Sequence, residues 1–296
     1  MTANELFTIL AQISGLLGIV CSMLAMGLGL TVSQIIQPLK NARRVILALL
    51  ANFVLVPLLA FAISRVLPLD ESLRIGLIVL ATTAGAPFLV KEVAAAKGNL
   101  SLGVGLMFLL MIVTIFYVPI VLPLLLPGVE VNAWDIAKSL IVTMGIPIVL
   151  GLMYRAHSPE GAGHWAPLMN KVSGVALLLM LVTGLGLNIS NIISLIGSFG
   201  FLALLLFVVG SLLIGMLMGG RDPAVRSVLG LGTAQRNVAA AILVTTLNFS
   251  GTMTLPFVLV ASVVLPLILL PTARRMGARV TALAATSSAQ PASVSK

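Results

Sequence analysis

Nine stretches of this chain are too long and too apolar for a water-soluble fold. They run over roughly residues 7–30, 44–64, 74–96, 100–126, 136–154, 168–188, 197–219, 225–247 and 253–273. A helix of about 20 mostly apolar residues crosses the hydrocarbon of a bilayer. Within lipid the backbone must satisfy its own hydrogen bonds, so only helices and closed barrels can span it. None of the nine stretches alternates polar and apolar residues as a barrel strand does, which leaves helices. Charged residues make up 8% of the chain, too few to cover a surface in water. The expected fold class is an all-α integral membrane protein with nine transmembrane helices. The sole cysteine, Cys21, excludes an internal disulfide. His157 and His164 are expected in one polar loop near the headgroups, and no zinc motif is present. The first apolar run follows Glu5 and no Lys or Arg, the reverse of a secretory signal, so it is expected to remain as a helix.

The formal charge of +9 suggests a nucleic-acid partner only until the charges are placed on the chain. Lys40, Arg43, Arg44, Lys97, Arg155, Lys171, Arg221, Arg226, Arg274, Arg275, Arg279 and Lys296 fall on one side of the membrane. Arg65, Arg74 and Lys138 fall on the other, among Glu5, Asp70, Glu71, Glu130 and Asp135. This asymmetry is the positive-inside bias. It predicts a multi-pass protein of the cytoplasmic membrane, with the N-terminus outside, the C-terminus in the cytoplasm and no nucleic-acid partner. Lys91, Glu92 and Arg236 are left within the spans.

Two of those residues belong to an internal repeat. Lys91-Glu92-Val93-Ala94-Ala95-Ala96 matches Arg236-Asn237-Val238-Ala239-Ala240-Ala241 at an offset of 145, and Ile120 to Leu126 matches Val263 to Leu269 at an offset of 143. The third and eighth spans are therefore equivalent. They lie five helices apart, an odd number, so the repeat is inverted in the membrane. Repeat 1 covers about 7–126 and repeat 2 about 136–273 of a single membrane domain, 1–279; the Ala/Ser/Thr-rich tail, 280–296, is expected to be disordered. Inverted repeats with interrupted helices at equivalent places point to a transporter's binding site.

Both equivalent spans carry helix breakers. In the third, Gly85 and Pro87 precede Lys91 and Glu92; in the eighth, Gly230 and Gly232 precede Thr233, Gln235, Arg236 and Asn237. These glycines predict breaks at Gly85–Pro87 and Gly230–Thr233, although glycine also serves close helix packing. An ionisable residue at mid-membrane is a functional candidate. Arg236 is expected to bind a carboxylate or sulfonate through two donors. Thr83, Thr233, Gln235, Asn237 and Asn52 are expected to supply neutral hydrogen bonds. Glu92 is expected to pair with Arg236 or to carry a proton. Lys91 is expected at the same site, with snorkelling toward Lys97 as its alternative.

These residues also carry a resemblance. Met26 to Thr31, Leu49 to Leu59, Ala96-Lys97-Gly98-Asn99 and Gly232 to Asn237 resemble corresponding stretches of the bile acid:sodium symporter family, over nearly the whole chain. The resemblance implies two inverted repeats, a panel domain and a core domain, with two broken helices crossing in the core. It implies the family form that lacks an extra first helix. It also implies a sodium site, whose ligand positions here fall on Leu89, Val90, Gly103, Met107, Gly232, Arg236 and Asn52. Most of these have no side-chain oxygen. No bound metal or cofactor is therefore expected, and Lys91 and Arg236 are candidates to replace the charge of sodium.

The expected function is secondary transport of a small organic anion by alternating access. The alternatives are a sodium-coupled symporter of a bile-acid-like anion, an anion channel and a non-transporting membrane sensor. No nucleophile–base set or phosphate loop supports an enzyme.

Overall fold

The computed structural model describes residues 3–126, 132–249 and 251–288, all as helices and their connections. Polar residues mark where helices begin. Thr31, Asn41, Asn99, Asn132, Ser158, Asp222 and Asn237 each accept a hydrogen bond from a backbone N–H of the first turn that follows, which offsets the free donors of a helix start.

The chain divides into two layers. In the first, α1 (Ala3–Gly29) lies along α10 (Pro159–Leu187) and crosses α9 (Ile146–His157), which continues α8 (Ala133–Leu140) through a π-turn at Ile141–Gly145. Ser173 of α10 donates to the Gly18 carbonyl of α1 at 2.8 Å. This is the expected panel. The core layer holds α3 (Ala42–Leu50), α4 (Val56–Val66), α5 (Glu71–Thr82), α6 (Leu89–Ala95), α7 (Leu100–Leu125), α12 (Gly200–Met218), α13 (Pro223–Ala234), α14 (Val238–Asn248) and α15 (Thr254–Ser288). Short helices α2 (Val32–Ile36) and α11 (Ile189–Ile196) make connections that the span reading did not include.

Among the described residues, eight spans are long and apolar enough to cross a membrane. The third expected span, 74–96, is interrupted: α5 ends at Thr82 and α6 starts at Leu89, so neither half qualifies alone. The eighth expected span is likewise divided into α13 and α14 by Gln235–Asn237.

Some boundaries differ from the sequence reading. The His157–His164 loop shrinks to Ser158, because α10 starts at Pro159 and takes His164 into a helix, where its ring meets Trp165 edge-on at 6.0 Å. The helix α15 passes the expected tail boundary at 280 and reaches Ser288. Alanine-rich sequence extends an already nucleated helix at little cost. Residues 289–296, with Lys296, lie outside the described residues, as do Pro127 and Glu130.

Candidate functional site

The two interrupted helices meet at their gaps. The first gap, 83–88, is shaped by Gly85, whose φ of +79° places it in the left-handed region that glycine favours. A Cβ there would stand 2.7 Å from Met111 Cα of α7. Thr114, one turn along α7, holds the gap from the side. Its hydroxyl accepts from Ala84 N–H at 3.0 Å and faces the Ala84 carbonyl at 3.1 Å. From the second gap, Asn237 N–H donates to Thr83 O at 3.0 Å and Asn237 Nδ2 to Gly85 O at 3.1 Å.

The second gap lies three residues beyond the Gly230–Gly232 pair. Both glycines are inside α13. A Cβ on Gly230 would meet the Met216 side chain of α12, and one on Gly232 the side chains of Leu89 and Leu106. They permit close helix packing, and are not the break. The helix stops instead at Gln235, where Arg236 and Asn237 take over the local hydrogen bonding.

Arg236 occupies the crossing and is fully buried. Its Nε donates to Leu80 O at 3.0 Å, Nη2 to Ala81 O at 2.7 Å, and Nη1 to Thr233 O at 3.1 Å and Asn52 Oδ1 at 2.8 Å. The three carbonyls belong to the C-terminal turns of α5 and α13, where helix carbonyls lack intrahelical partners. Each helix C-terminus carries roughly half a negative charge, so two of them balance about one guanidinium. Four of the five N–H donors of Arg236 are engaged by protein oxygens. This arrangement replaces the expected two-donor grip on a substrate.

Asn52 reaches this point through a distortion of its own span. The chain makes a π-turn at Ala51–Leu55 just before Pro57. Proline has no N–H to return to the carbonyl four residues earlier. That carbonyl, Phe53 O, accepts instead from the Tyr117 hydroxyl of α7 at 2.5 Å, and the two rings lie 4.7 Å apart. Asn52 Nδ2 donates to Ala48 O at 3.0 Å and to Thr233 Oγ1 at 3.3 Å.

Asn52, Thr83, Thr233, Gln235, Arg236 and Asn237 are thus brought together, and their polar atoms mostly serve one another. Thr83 Oγ1 donates back to its own helix. Gln235 Oε1 is buried without a donor, which makes it the crossing's available side-chain oxygen. Two expected members are elsewhere. Lys91 is exposed, with Nζ 5.5 Å from the Phe88 ring centroid. Glu92 is buried but is not within ion-pair distance of Arg236; the ion pair found among the described residues is Arg74–Glu71 at 3.4 Å. The repeat offset pairs Lys91 with Arg236, yet Lys91 lies inside α6 whereas Arg236 lies in a gap. Thr114 and Tyr117 were absent from the sequence reading. Their signal is visible: they are the polar side chains within the long apolar run from Leu102 to Leu126.

A cavity of about 630 Å³ separates the two layers. Gln12 and Ile19 of α1, Met180 and Asn188 near the end of α10, and Ile242 and Thr246 of α14 are among its lining residues. Ile242 is roughly one turn beyond the start of α14. The cavity runs from there along the C-terminal half of α14, past Leu243, Thr246 and Leu247.

Comparison with known proteins agrees with this architecture. The pattern of the sodium bile acid symporter family matches residues 16–195, more than half of the chain. A chloroplast protein of Arabidopsis thaliana named "Probable sodium/metabolite cotransporter BASS3" is 25% identical over 173 residues, 58% of this chain and 40% of its own length. The Bacillus subtilis protein "Uncharacterized sodium-dependent transporter YocS" is 27% identical over 189 residues, 61% of this chain and 57% of its own. A rice protein named "Probable sodium/metabolite cotransporter BASS2" is 30% identical over 139 residues, 47% and 33% of the two chains. The chain thus spans less than two thirds of each of these relatives. They are named as transporters rather than as enzymes. With its two interrupted helices crossing in the core, and with the family pattern running through the first of them, the chain belongs to the sodium bile acid symporter family.

Proposed function

We propose that this protein is a secondary transporter that carries a small organic anion across the cytoplasmic membrane, its N-terminus outside and its C-terminus inside. Movement of the core layer against the panel exposes the cavity alternately to the two sides. The observation that carries the reading is the guanidinium of Arg236 at the crossing. Unwound carbonyls and half-helix C-terminal ends are where transporters hold sodium. Arg236 puts a tethered charge on those same groups. With the negative ends of α5 and α13 neutralised, the crossing no longer repels an anion. In the cavity, Gln12, Asn188 and Thr246 offer neutral hydrogen bonds, and the apolar walls hold an organic skeleton. Sodium is not required in this scheme. The relatives' names favour a second reading, cotransport with sodium through ligands elsewhere.

One experiment separates the two. Purified protein is heated with small mono- and dicarboxylates and sulfonates, first in sodium buffer and then in potassium at equal ionic strength. A ligand that binds only the native state at 100 times its Kd stabilises it by about 2.7 kcal/mol. At least one anion is expected to raise Tm equally in both salts. A shift that needs sodium sinks the tethered-cation scheme; no shift with any anion sinks the substrate class. Saturable counter-exchange in vesicles then distinguishes a transporter from a channel.

A further inference from the structure

Glu92 is fully buried on α6, and neither of its carboxyl oxygens has a hydrogen-bond partner. The helix α6 packs against α7, α13 and α15. The charged groups on these elements are Arg226 of α13 and Arg274, Arg275 and Arg279 of α15, all exposed, and none is within ion-pair distance of Glu92. Tyr117, the titratable residue of α7, directs its hydroxyl to Phe53 O. Lys91, next to Glu92, is exposed over Phe88, and Lys97 Nζ donates to Thr281 Oγ1 at 2.6 Å. The other buried residues of α6 and its cap are Leu89, Val93 and Ala96.

An ionised carboxylate with no cation and no donor is among the costliest things a protein can bury. A neutral carboxyl in the same place costs far less. The packing around Glu92 therefore suits the protonated group alone. The site at the crossing sharpens the point. Arg236 is covalently tethered, so its charge cannot leave between cycles or draw on an ion gradient. Glu92 lies in the same layer, and the proton of a carboxyl group, unlike a tethered guanidinium, can leave.

We propose that Glu92 is a proton-binding site that links anion transport to a proton. In the conformation described here it holds one proton. In another conformation of the cycle the O–H bond breaks, the electron pair stays on the carboxylate and the proton passes to water. That conformation must let water reach Glu92, so the short α6 loosens from α13 and α15. The coupling rests on the transport reading above; the proton site itself does not.

The site is tested on the protein alone, reconstituted in lipid, by infrared difference spectroscopy across pH. The expected result is a protonated-carboxyl C=O band at neutral pH that shifts in deuterium oxide and disappears reversibly as pH rises. It should be missing from Glu92→Gln and from Glu92→Met, which replace the acid by a neutral and an apolar side chain of similar length. Protection of the amides of residues 89–96, taken relative to the base-catalysed intrinsic exchange rate, should fall at alkaline pH in the wild type and not in either variant. A band absent at neutral pH, or one that persists until the protein unfolds, overturns the site. Coupling is then read in proteoliposomes loaded with a pH dye, using the same carboxylates and sulfonates. An anion that enters should change the lumenal pH with wild type, and this change should be lost with Glu92→Gln. Anion entry with no pH change in the wild type overturns the linkage and leaves transport standing. If no anion enters, the transport reading fails and the infrared result alone decides the proton site.

Discussion

At the scale of single residues, Arg236 shows why a charge seen in a sequence does not reveal its job. Its mid-span position was legible. Its partners were not. Three of its four acceptors are backbone carbonyls, freed only because two helices end within reach. No side-chain pattern records where a carbonyl loses its helical partner, so the nearby acid Glu92 was the natural but mistaken choice. The fork geometry gives a prediction. Arg236→Ala leaves the buried acceptors unpaired and should destabilise the protein by about 3–5 kcal/mol, the range for removing one member of a buried charged set. Arg236→Lys keeps the charge but offers three donors to four acceptors. It should cost about 1–3 kcal/mol for the orphaned oxygen. Denaturant unfolding in detergent measures both. A lysine variant as stable as wild type would mean that charge alone, without the fork, satisfies the crossing.

At the scale of elements, the two breaks were legible to different degrees. Gly85 and Pro87 mark the first gap because both residues resist helix, and Gly85 adopts a conformation that other residues avoid. Gly230 and Gly232 carry the same composition signal with the opposite outcome. They sit in a continuous helix because neighbouring side chains of α12, α6 and α7 need the space. Glycine in a membrane helix therefore has two meanings, and only the neighbours tell them apart. Substitution by alanine separates them experimentally. Gly85→Ala strains the backbone by about 1–3 kcal/mol, and its Cβ presses on the unyielding Met111 main chain. Gly232→Ala meets only the ends of Leu89 and Leu106, at 3.2 and 3.4 Å. Its gain in helix propensity, about 1 kcal/mol, offsets that crowding. Melting temperatures should therefore fall sharply for Gly85→Ala and stay near wild type for Gly232→Ala. The reverse order would place the second break at the glycines. Thr114→Val is isosteric and removes the hydroxyl from Ala84; it should cost about 1–3 kcal/mol and so identify α7 as the support of the first gap.

At the scale of the whole molecule, the spans followed from physics that every residue in lipid obeys, and they were legible for that reason. The cavity was not. It arises where α1 and α10 stand away from α14 and α15, and nothing local in any one helix encodes that separation. Its side of the membrane is nevertheless predictable. Gln12 lies near the N-terminal end of α1, Asn188 follows α10, and Thr246 is near the end of α14. The cation asymmetry puts all three toward the outside. The protein has one cysteine, Cys21, which is buried, so Cys21→Ser provides a background without reactive thiols. In that background, Gln12→Cys and Thr246→Cys should react with a membrane-impermeant thiol reagent added to intact cells. Arg226→Cys and Arg279→Cys should react only after the membrane is opened. Labelling of Gln12→Cys or Thr246→Cys from the cytoplasmic face alone would overturn both the orientation and the assignment of the cavity to the outer side. Movement leaves a further signature. If the core slides against the panel, an anion that raises Tm should change the labelling rate at Thr246→Cys on α14 relative to Gln12→Cys on α1. A binding pocket in a rigid molecule would instead shield the two positions together, in proportion to its occupancy. Unequal change at the two thiols is therefore the result expected of alternating access.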